Sequence, residues 1–322
     1  MGQLPAERIN PSFSNEIVSV EYAGPILIKG GAKRRPTYQK TYVAIFVCLQ
    51  TKSCHVELVS NLTAEAFVAV LRRFVSRGKP CQIWSDNAQP ASPAPTKISR
   101  NSTVTYKKQK LKQTSRISVP HKILVGNLAL PQVQNGVKAC KHHLKRIVGQ
   151  SKLNFEELST VLCQIEACLN SRPIAASVDT NDDDGIPALT PGDFLIGRPL
   201  EALPDHLDNT NKPLSMLKRW YLCQTLVQHF WKRWSTEYLI GLQRANKWKY
   251  RERNLAVGDI VLIKDKSLTP CKWPLTRITK VQPGPDKLVR IVTLKTKQGI
   301  CVRPIVKVCL LLHKEQQTDV KE

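Results

Sequence analysis

Acidic residues are absent from a long stretch in the middle of this sequence: no Asp or Glu occurs between Asn87 and Asn154. Before the stretch lie two short acidic motifs, Val-Glu-Tyr-Ala-Gly-Pro around Glu21 and Trp-Ser-Asp-Asn around Asp86, and at its end lies a basic segment, 136–148. A site for two divalent cations needs carboxylate oxygens from several segments of a chain. The sequence offers two such segments and lacks a third.

The ten cysteines lack the spacing of a zinc site, because no two of them form Cys-x-x-Cys and no pair precedes two suitably spaced histidines. No stretch reaches the ~18 apolar residues that span a bilayer, and the first residues lack the apolar run of a signal peptide. We therefore expect an intracellular protein, neither secreted nor membrane-spanning. Free cysteines among apolar residues pack as small hydrophobes, and we predict reduced, buried side chains at Cys48, Cys163, Cys168, Cys223 and Cys309.

The charge of the chain is strongly positive, with a formal net charge of +24 and a pI near 9.8. Residues 212–322 carry 23 Lys and Arg against 8 Asp and Glu, a surplus of +15. Residues 87–136 carry eight basic residues and no acidic ones. An anionic partner is the first expectation for such a chain, nucleic acid before membrane, although a basic surplus also fits a solvated surface.

Apolar patterns predict two structural regions. In the first, β-branched and alternating runs indicate strands and a stripe at period 3.6 indicates a helix capped by Thr63; the predicted strands are 17–23, 41–49, 55–59 and 81–84, and the helix is 64–75. Asn154 and Glu157 form a capping box that opens a further helix, 155–170.

In the second region, aromatic residues recur every three or four positions within 212–250, which indicates a helix. Such a stripe more often packs a core than stacks on bases; it comprises Trp220, Cys223, Val227, Phe230, Trp231, Trp234 and Tyr238. The period then changes to two, which predicts a small antiparallel barrel from strands at 260–263, 275–281, 288–294 and 300–305.

An ordered series of motifs runs along the chain, and it resembles the integrase of Bel-Pao-type LTR retrotransposons. The motifs are Tyr-Ala-Gly-Pro (22–25), His-Val-Glu-Leu-Val-Ser (55–60), Ser-Asp-Asn (85–87), Lys-His-His-Leu-Lys-Arg (141–146), Leu-Asn-Ser-Arg-Pro (169–173), Phe-Leu-Ile-Gly (194–197), His-Phe-Trp-Lys-Arg-Trp (229–234) and Val-Gly-Asp-Ile-Val-Leu-Ile-Lys (257–264). The resemblance covers the chain except roughly 88–135 and the tail.

The resemblance implies an α/β fold with a ribonuclease H-like core, a helical connector and a C-terminal small SH3-like β-barrel. The implied boundaries are a lead-in at 1–15, the integrase catalytic core at 16–200, the connector at 212–250, the DNA-contacting barrel at 251–313 and a tail at 314–322. The implied activity is DNA integration by metal-dependent polynucleotidyl transfer.

That activity uses an Asp-Asp-Glu triad to hold two Mg²⁺ or Mn²⁺ ions. The matching positions here are Glu21, Asp86 and Gln134. Glu21 keeps the charge of the expected aspartate but adds a methylene, and Gln134 is a neutral amide. The resemblance therefore implies metal ligands at Glu21 and Asp86 only, and an impaired enzyme.

The resemblance also implies DNA as the partner, a nuclear or other intracellular location and a homo-oligomeric state. Candidate DNA contacts are the basic residues of the 136–148 segment and of the barrel: Lys138, Lys141, His142, Lys145, Arg146, Arg277, Lys280, Arg290 and Lys295. Two other functions stay open, a non-enzymatic basic DNA-binding scaffold and a pseudogene-like product that does not fold stably.

Residues 88–135 depart from the family, with three prolines in the six residues 90–95, poor periodicity and no acid. Codons compatible with parts of this aberrant segment encode, in a shifted frame, peptides that resemble the family at that place. We therefore hypothesise an out-of-frame or mis-spliced segment that starts after Asn87 and ends near Gly136. The nucleotide sequence tests this hypothesis, which fails if no alternative frame across codons 88–135 encodes integrase-like residues.

Overall fold

In the residues that it describes, the computed structural model is a mixed α/β structure with three sheets. It describes residues 13–30, 37–78, 80–85, 103–104, 122–125, 141–148, 151–176, 188–202, 219–243, 254–265, 269–296 and 299–312. These residues form two compact units, one from Met1–Leu169 and His206–Phe230 and the other from Asn170–Asp205 and Trp231–Glu322. Within the described ranges no helix is long and apolar enough to cross a membrane.

A six-stranded sheet dominates the first unit. Its elements in chain order are β1 (Ile17–Gly30), β2 (Thr37–Cys48), β3 (Cys54–Val59), α1 (Ala64–Arg77), β4 (Gln82–Ser85), β5 (Thr103–Val104), β6 (Lys122–Val125), α2 (141–148) and α3 (Phe155–Asn170). The strand order is β3-β2-β1-β4-β6-β5. Strands β1 to β3 form an antiparallel meander, β4 runs parallel to β1, β6 runs parallel to β4 and β5 runs antiparallel to β6.

Strand β1 is longer than the sequence predicts. We expected it to end at Gly24, but it continues to Gly30 with a register shift between Ala23 and Ile26. Gly24 has φ +134°, and a Cβ there would lie 3.1 Å from the carbonyl oxygen of Thr41. A bulge tolerates the missing N–H of a proline and bends the strand without ending it, which is why the predicted stop was wrong.

The core of this unit lies between the sheet and α1. Phe46 of β2 stacks on Phe74 of α1 with ring centroids 4.2 Å apart, and both are buried. The predicted cap is confirmed, because Thr63 accepts a hydrogen bond from the amide of Ala66 at the start of α1. The remaining buried members of the cluster are Val18, Val20, Ala44, Val59, Val70, Leu71 and Ile83.

The second unit contains a two-stranded sheet and a five-stranded antiparallel sheet. Its elements are β7 (Ala175–Ala176), β8 (Ala188–Leu189), α4 (Asp193–Ile196), β9 (Ile260–Ile263), β10 (Leu275–Pro283), β11 (Val289–Thr296), β12 (Gly299–Pro304), a 3-10 turn (Ile305–Lys307) and β13 (Val308–Leu312). Helix α5 (Arg219–Leu242) contributes its residues from Trp231 onward, and its predicted flanks at 212–218 and 244–250 lie outside the described residues.

The predicted barrel strands are present, but their pairing leaves the sheet open. The order is β12-β11-β10-β9-β13, and no ladder among the described residues joins β12 to β13, so the sheet is not a closed barrel. The sequence analysis missed β13. Its residues, Val-Cys-Leu-Leu-Leu, are apolar throughout and lack the alternation that marks a half-buried strand.

Candidate metal centre and nucleic-acid interface

Glu21 lies in the middle of β1, opposite Ile45 of β2. Its carboxylate oxygen Oε2 accepts a hydrogen bond from the Nζ of Lys141, on α2, at 2.6 Å. The two side chains are 21% and 30% exposed, so the pair is partly shielded from water. The predicted metal ligand and a predicted DNA contact are therefore partners in one ion pair.

This ion pair bears on the metal site, because a divalent ion at Glu21 would compete with an ammonium group already in contact with the same oxygen. Asp86 and Gln134, the other two predicted positions, lie outside the described residues, as does Lys138. No group of three His, Cys, Asp or Glu in the described ranges is arranged to hold a metal ion. Of the three predicted positions the structure describes Glu21 alone, and metal ligation by Glu21 and Asp86 stays a prediction.

The basic residues of helix α2 lie on two sides of the helix, one half-buried and one exposed. Lys141 is half-buried against Glu21, whereas His142, Lys145 and Arg146 are exposed. These three occupy positions i, i+3 and i+4, which share one helix face. The opposite side of α2 is buried in the first unit through Leu144, Ile147 and Val148. The exposed face presents the basic residues that the sequence predicts for DNA, and that role stays a prediction.

The first unit also contains an ionic network that the sequence analysis missed. His55 of β3 lies between two carboxylates, with Nε2 3.3 Å from Glu57 and Nδ1 3.0 Å from Glu166 of α3. From α1, Arg73 binds Glu57 and Arg77 lies 3.0 Å from Nε2 of His55. The alternation of His55 and Glu57 along one strand could have indicated this pair. Glu166 is 111 positions away from His55, beyond the reach of any sequence pattern.

The carboxylates control the protonation of His55. Burial lowers the pKa of His55, but the hydrogen bonds to Glu166 and Glu57 outweigh burial and raise that pKa to about 9. The nearby guanidinium of Arg77 acts in the opposite direction. Glu166 also accepts the Val56 amide N–H at 2.8 Å. Because β3 is the outermost strand of the sheet, this bond caps an edge amide that has no strand beside it.

The capping box at the start of α3 is confirmed. The Asn154 amide donates to Glu157 Oε2 and the Glu157 amide donates to Asn154 Oδ1, each at 2.8 Å. Arg219 contacts the same carboxylate and donates to the Lys152 carbonyl at 2.9 Å. Burial raises the pKa of Glu157, yet its bonds to Arg219 and Asn154 outweigh burial and lower that pKa. Glu157 is thus a capping residue, as predicted.

Cations also line the five-stranded sheet, where Arg277 of β10 is the direct cross-strand partner of Lys295 of β11. Directly opposite residues project from the same face of a sheet. Lys280 pairs with Thr293 in the same ladder, and all three basic side chains are exposed. Arg290, the fourth predicted contact, donates from Nη2 to Asp286 at 2.8 Å. Its charge is partly neutralised by that carboxylate.

The aromatic stripe on α5 packs in the core, as the sequence predicts. Trp231 and Trp234 are each 4% exposed and contact the ring of Trp273 at 4.8 and 5.8 Å between centroids. Tyr238 stacks on Trp234 and donates its hydroxyl to the Pro173 carbonyl at 2.6 Å. Trp220 was predicted to pack in the core with the rest of the stripe, but it is 55% exposed, so this prediction was wrong.

The cysteines of the described residues are free. Cys48, Cys168, Cys223 and Cys309 are buried, as predicted. Cys163 is exposed, so its predicted burial was wrong. It lies on α3, where neighbouring positions alternate between the buried and the exposed side within a single turn.

A family model described as "Family of unknown function (DUF5641)" matches residues 218–311, a range that includes α5 and most of the five-stranded sheet. No curated protein matches the chain. A chain of the cryo-EM structure of simian T-cell lymphotropic virus intasome in complex with PP2A regulatory subunit B56 gamma aligns with 94% of this chain and 84% of its own length, at 11% identity and a TM-score of 0.31. A TM-score this low does not establish a shared fold.

Proposed function

We propose that the chain is a duplex-DNA-binding protein derived from a retrotransposon integrase, with an impaired strand-transfer centre. The direct pairing of Arg277 with Lys295 carries the proposal. Neighbouring basic side chains on one exposed face of a sheet can bind the phosphates of a DNA backbone together. Lys280 extends the same exposed face. We expect a DNA-binding role to place the protein in the nucleus.

The order of the elements supports an integrase-like origin. Three antiparallel strands, a helix and a fourth strand parallel to the first follow one another in the first unit. This succession is the one that the sequence resemblance implies for a ribonuclease H-like core. The five-stranded antiparallel sheet likewise supports an SH3-like DNA-contacting domain at the implied place, and the ordered motifs support the Bel-Pao assignment.

The contact between Lys141 and Glu21 supports the proposal that the strand-transfer centre is impaired. In the proposed ancestor the position of Glu21 binds a divalent ion, whereas here its oxygen contacts an ammonium at 2.6 Å. Gln134 adds no negative charge at the third position. We therefore assign the residual function to binding and positioning of DNA, without a metal-dependent step.

Fluorescence anisotropy with a labelled DNA duplex tests the binding surface. Replacing Arg277, Lys280 and Lys295 together by alanine should weaken binding and reduce the slope of log K against log salt by about 0.9 for each phosphate that the variant no longer neutralises. Arg290→Ala is the matched control, because Asp286 already neutralises part of its charge; it should change the slope less. Equal slopes for the wild type and the triple variant would contradict the proposed interface.

A strand-transfer assay on a viral-type DNA end with Mg²⁺ or Mn²⁺ separates the binding function from integration. The proposal predicts salt-sensitive duplex binding without strand transfer by the wild type. Metal-dependent joining of DNA ends by the wild type would show an intact enzyme and would refute the impaired centre. The binding surface would still be tested separately, by the alanine variants of Arg277, Lys280 and Lys295.

A further inference from the structure

The two edges of the five-stranded sheet differ in how they are covered. At β13, the side chain of Gln243 donates to the carbonyls of Val306 and Val308 at 3.0 Å each, and Cys309 contacts the carbonyl of Leu239 on α5. Val308 and Cys309 are buried. The edge at β13 is therefore covered by α5 and the residue that follows it.

The edge at β12 has the opposite character, because its residues are exposed except for the half-buried Cys301. Ile300 is 75% exposed and Val302 is 52% exposed. The two residues are separated by one position and therefore project from the same face. Exposed β-branched residues on an edge strand are a template for pairing with another strand, which folded proteins normally block with charge, proline or cover. On β12 a charge and a proline occur only at the end of the strand, at Arg303 and Pro304.

The backbone of β12 is also directed toward a new strand at these residues. The carbonyls of Thr293 and Lys295 accept hydrogen bonds from the side-chain hydroxyls of Thr279 and Thr276 of β10, so these carbonyls point away from β12. Their cross-strand partners on β12 are Val302 and Ile300. In an antiparallel ladder such partners form the non-hydrogen-bonded pairs. The amides and carbonyls of Ile300 and Val302 therefore point to the open side of the sheet.

The positive charge of the residues around this edge indicates that its partner is acidic. Residues 254–312 carry eleven Lys and Arg against three Asp and Glu, a surplus of +8. Arg303 lies on β12 itself, and its guanidinium donates to the Val302 carbonyl at 3.1 Å, which leaves a second lone pair on that oxygen for an incoming amide. A second copy of this sheet would place two basic surfaces side by side, whereas an acidic strand would meet opposite charge.

We propose that β12 is a docking edge for an extended segment of another protein in which apolar and acidic residues alternate. The segment pairs with the outward amides and carbonyls of Ile300 and Val302. Its apolar side chains pack on those two residues, and its carboxylates approach Arg303. This mode of recognition is strand addition, in which the backbone gives affinity and the alternate side chains give specificity. Ile300 is the direct cross-strand partner of Lys295, so the docked segment lies beside the residues proposed to bind DNA, on the same face of the sheet.

A capped, fluorescently labelled peptide that alternates valine with glutamate serves as the probe for the full chain. Val302→Lys places a charge on the edge, and Ile300→Pro removes an outward N–H at a position where an edge strand tolerates proline. Each variant should weaken binding about tenfold, the equivalent of one good interaction. Val257→Lys, at an apolar residue that is 50% exposed outside the sheet, is the matched control and should bind like the wild type.

Two further measurements decide the partner. A peptide that alternates valine with lysine should bind about tenfold more weakly than the glutamate peptide, because it repels the basic sheet; equal affinity for both would overturn the charge argument. Unchanged melting temperatures exclude misfolding of the variants. Equal peptide affinity in Val302→Lys and wild type would refute the docking edge, and a concentration-dependent dimer that Val302→Lys abolishes would replace the acidic partner by a second copy.

Discussion

The Nζ of Lys141 lies 2.6 Å from the carboxylate of Glu21, although the two residues are 120 positions apart. The ion pair connects α2, whose exposed face is basic, to the central strand β1 of the first unit. The sequence analysis treated these residues as members of two separate sites, one for metal and one for DNA.

A double-mutant cycle should detect this ion pair. Glu21→Gln and Lys141→Met each remove one charge, and urea unfolding of the single and double variants should give a coupling free energy of about 0.2–1 kcal/mol, since the pair is partly exposed. Lys145→Met, on the exposed face of the same helix, should show no coupling with Glu21→Gln. A coupling of zero for Lys141 would mean that the contact does not form in solution.

The network around His55 predicts that stability falls as the pH rises. The pKa of His55 is raised in the folded state to about 9 from an ordinary value of 6.5. Its contribution is therefore complete below about pH 6.5 and is lost as the pH rises through about 9. Urea unfolding between pH 6 and 9.5 should show this loss in the wild type.

The variant His55→Gln isolates that contribution. Burial raises the pKa of Cys309 to about 11, and thiols of this kind also destabilise the fold at high pH, so the informative quantity is the difference between wild type and variant. That difference should shrink as the pH rises. A difference that is independent of pH would exclude a charged His55.

Replacing each of two tryptophans on α5 by alanine should cost very different amounts of unfolding free energy. Trp234 is 4% exposed and packs against Trp273, so Trp234→Ala should cost about 3–5 kcal/mol of unfolding free energy. Trp220 is 55% exposed, and Trp220→Ala should cost about 0.5 kcal/mol or less. Equal costs in chemical denaturation would contradict the assignment of the stripe to the core. A cooperative transition in the wild type would itself argue against a product that does not fold.

The capping box gives a local prediction. Asn154→Ala removes the acceptor for the Glu157 amide and should cost about 1 kcal/mol, whereas Asn154→Asp keeps an acceptor and should cost much less. Thermal unfolding of the two variants compares them directly. Equal losses of stability in the two variants would show that the hydrogen bond from the Glu157 amide to the Asn154 side chain does not stabilise the helix start.

The hypothesis of a shifted reading frame is tested by the coding DNA across codons 88–135. We expect an alternative frame there to encode integrase-like residues. The described part of this segment includes β6, which pairs with β4 in parallel. A coding sequence without such a frame would refute the hypothesis.

Much of the fold could be predicted because its signals are local. Helix α3 begins and ends where the capping box and apolar period place it, and β9 has its predicted bounds. The extension of β1 was missed because a bulge at Gly24 cannot be told from a strand end by composition. Strand β13 was missed because a fully apolar run has no period.

The candidate site was less predictable, because its contacts join distant segments. Residue type and motif order suggested Glu21 and Lys141 individually, but only the packing of α2 beside β1 brings them together. The same applies to His55 and Glu166, which meet through the packing of α3 against β3. Sequence patterns report which face of an element is buried and do not report which charged groups meet across elements.

Isothermal titration calorimetry with Mg²⁺ and with Mn²⁺ tests the central claim most directly. Because Lys141 contacts Glu21 and the third position holds Gln134, we predict that the wild-type chain shows no tight, stoichiometric uptake of either ion. Tight uptake of two ions per chain would contradict the account and would restore a metal-dependent strand-transfer centre.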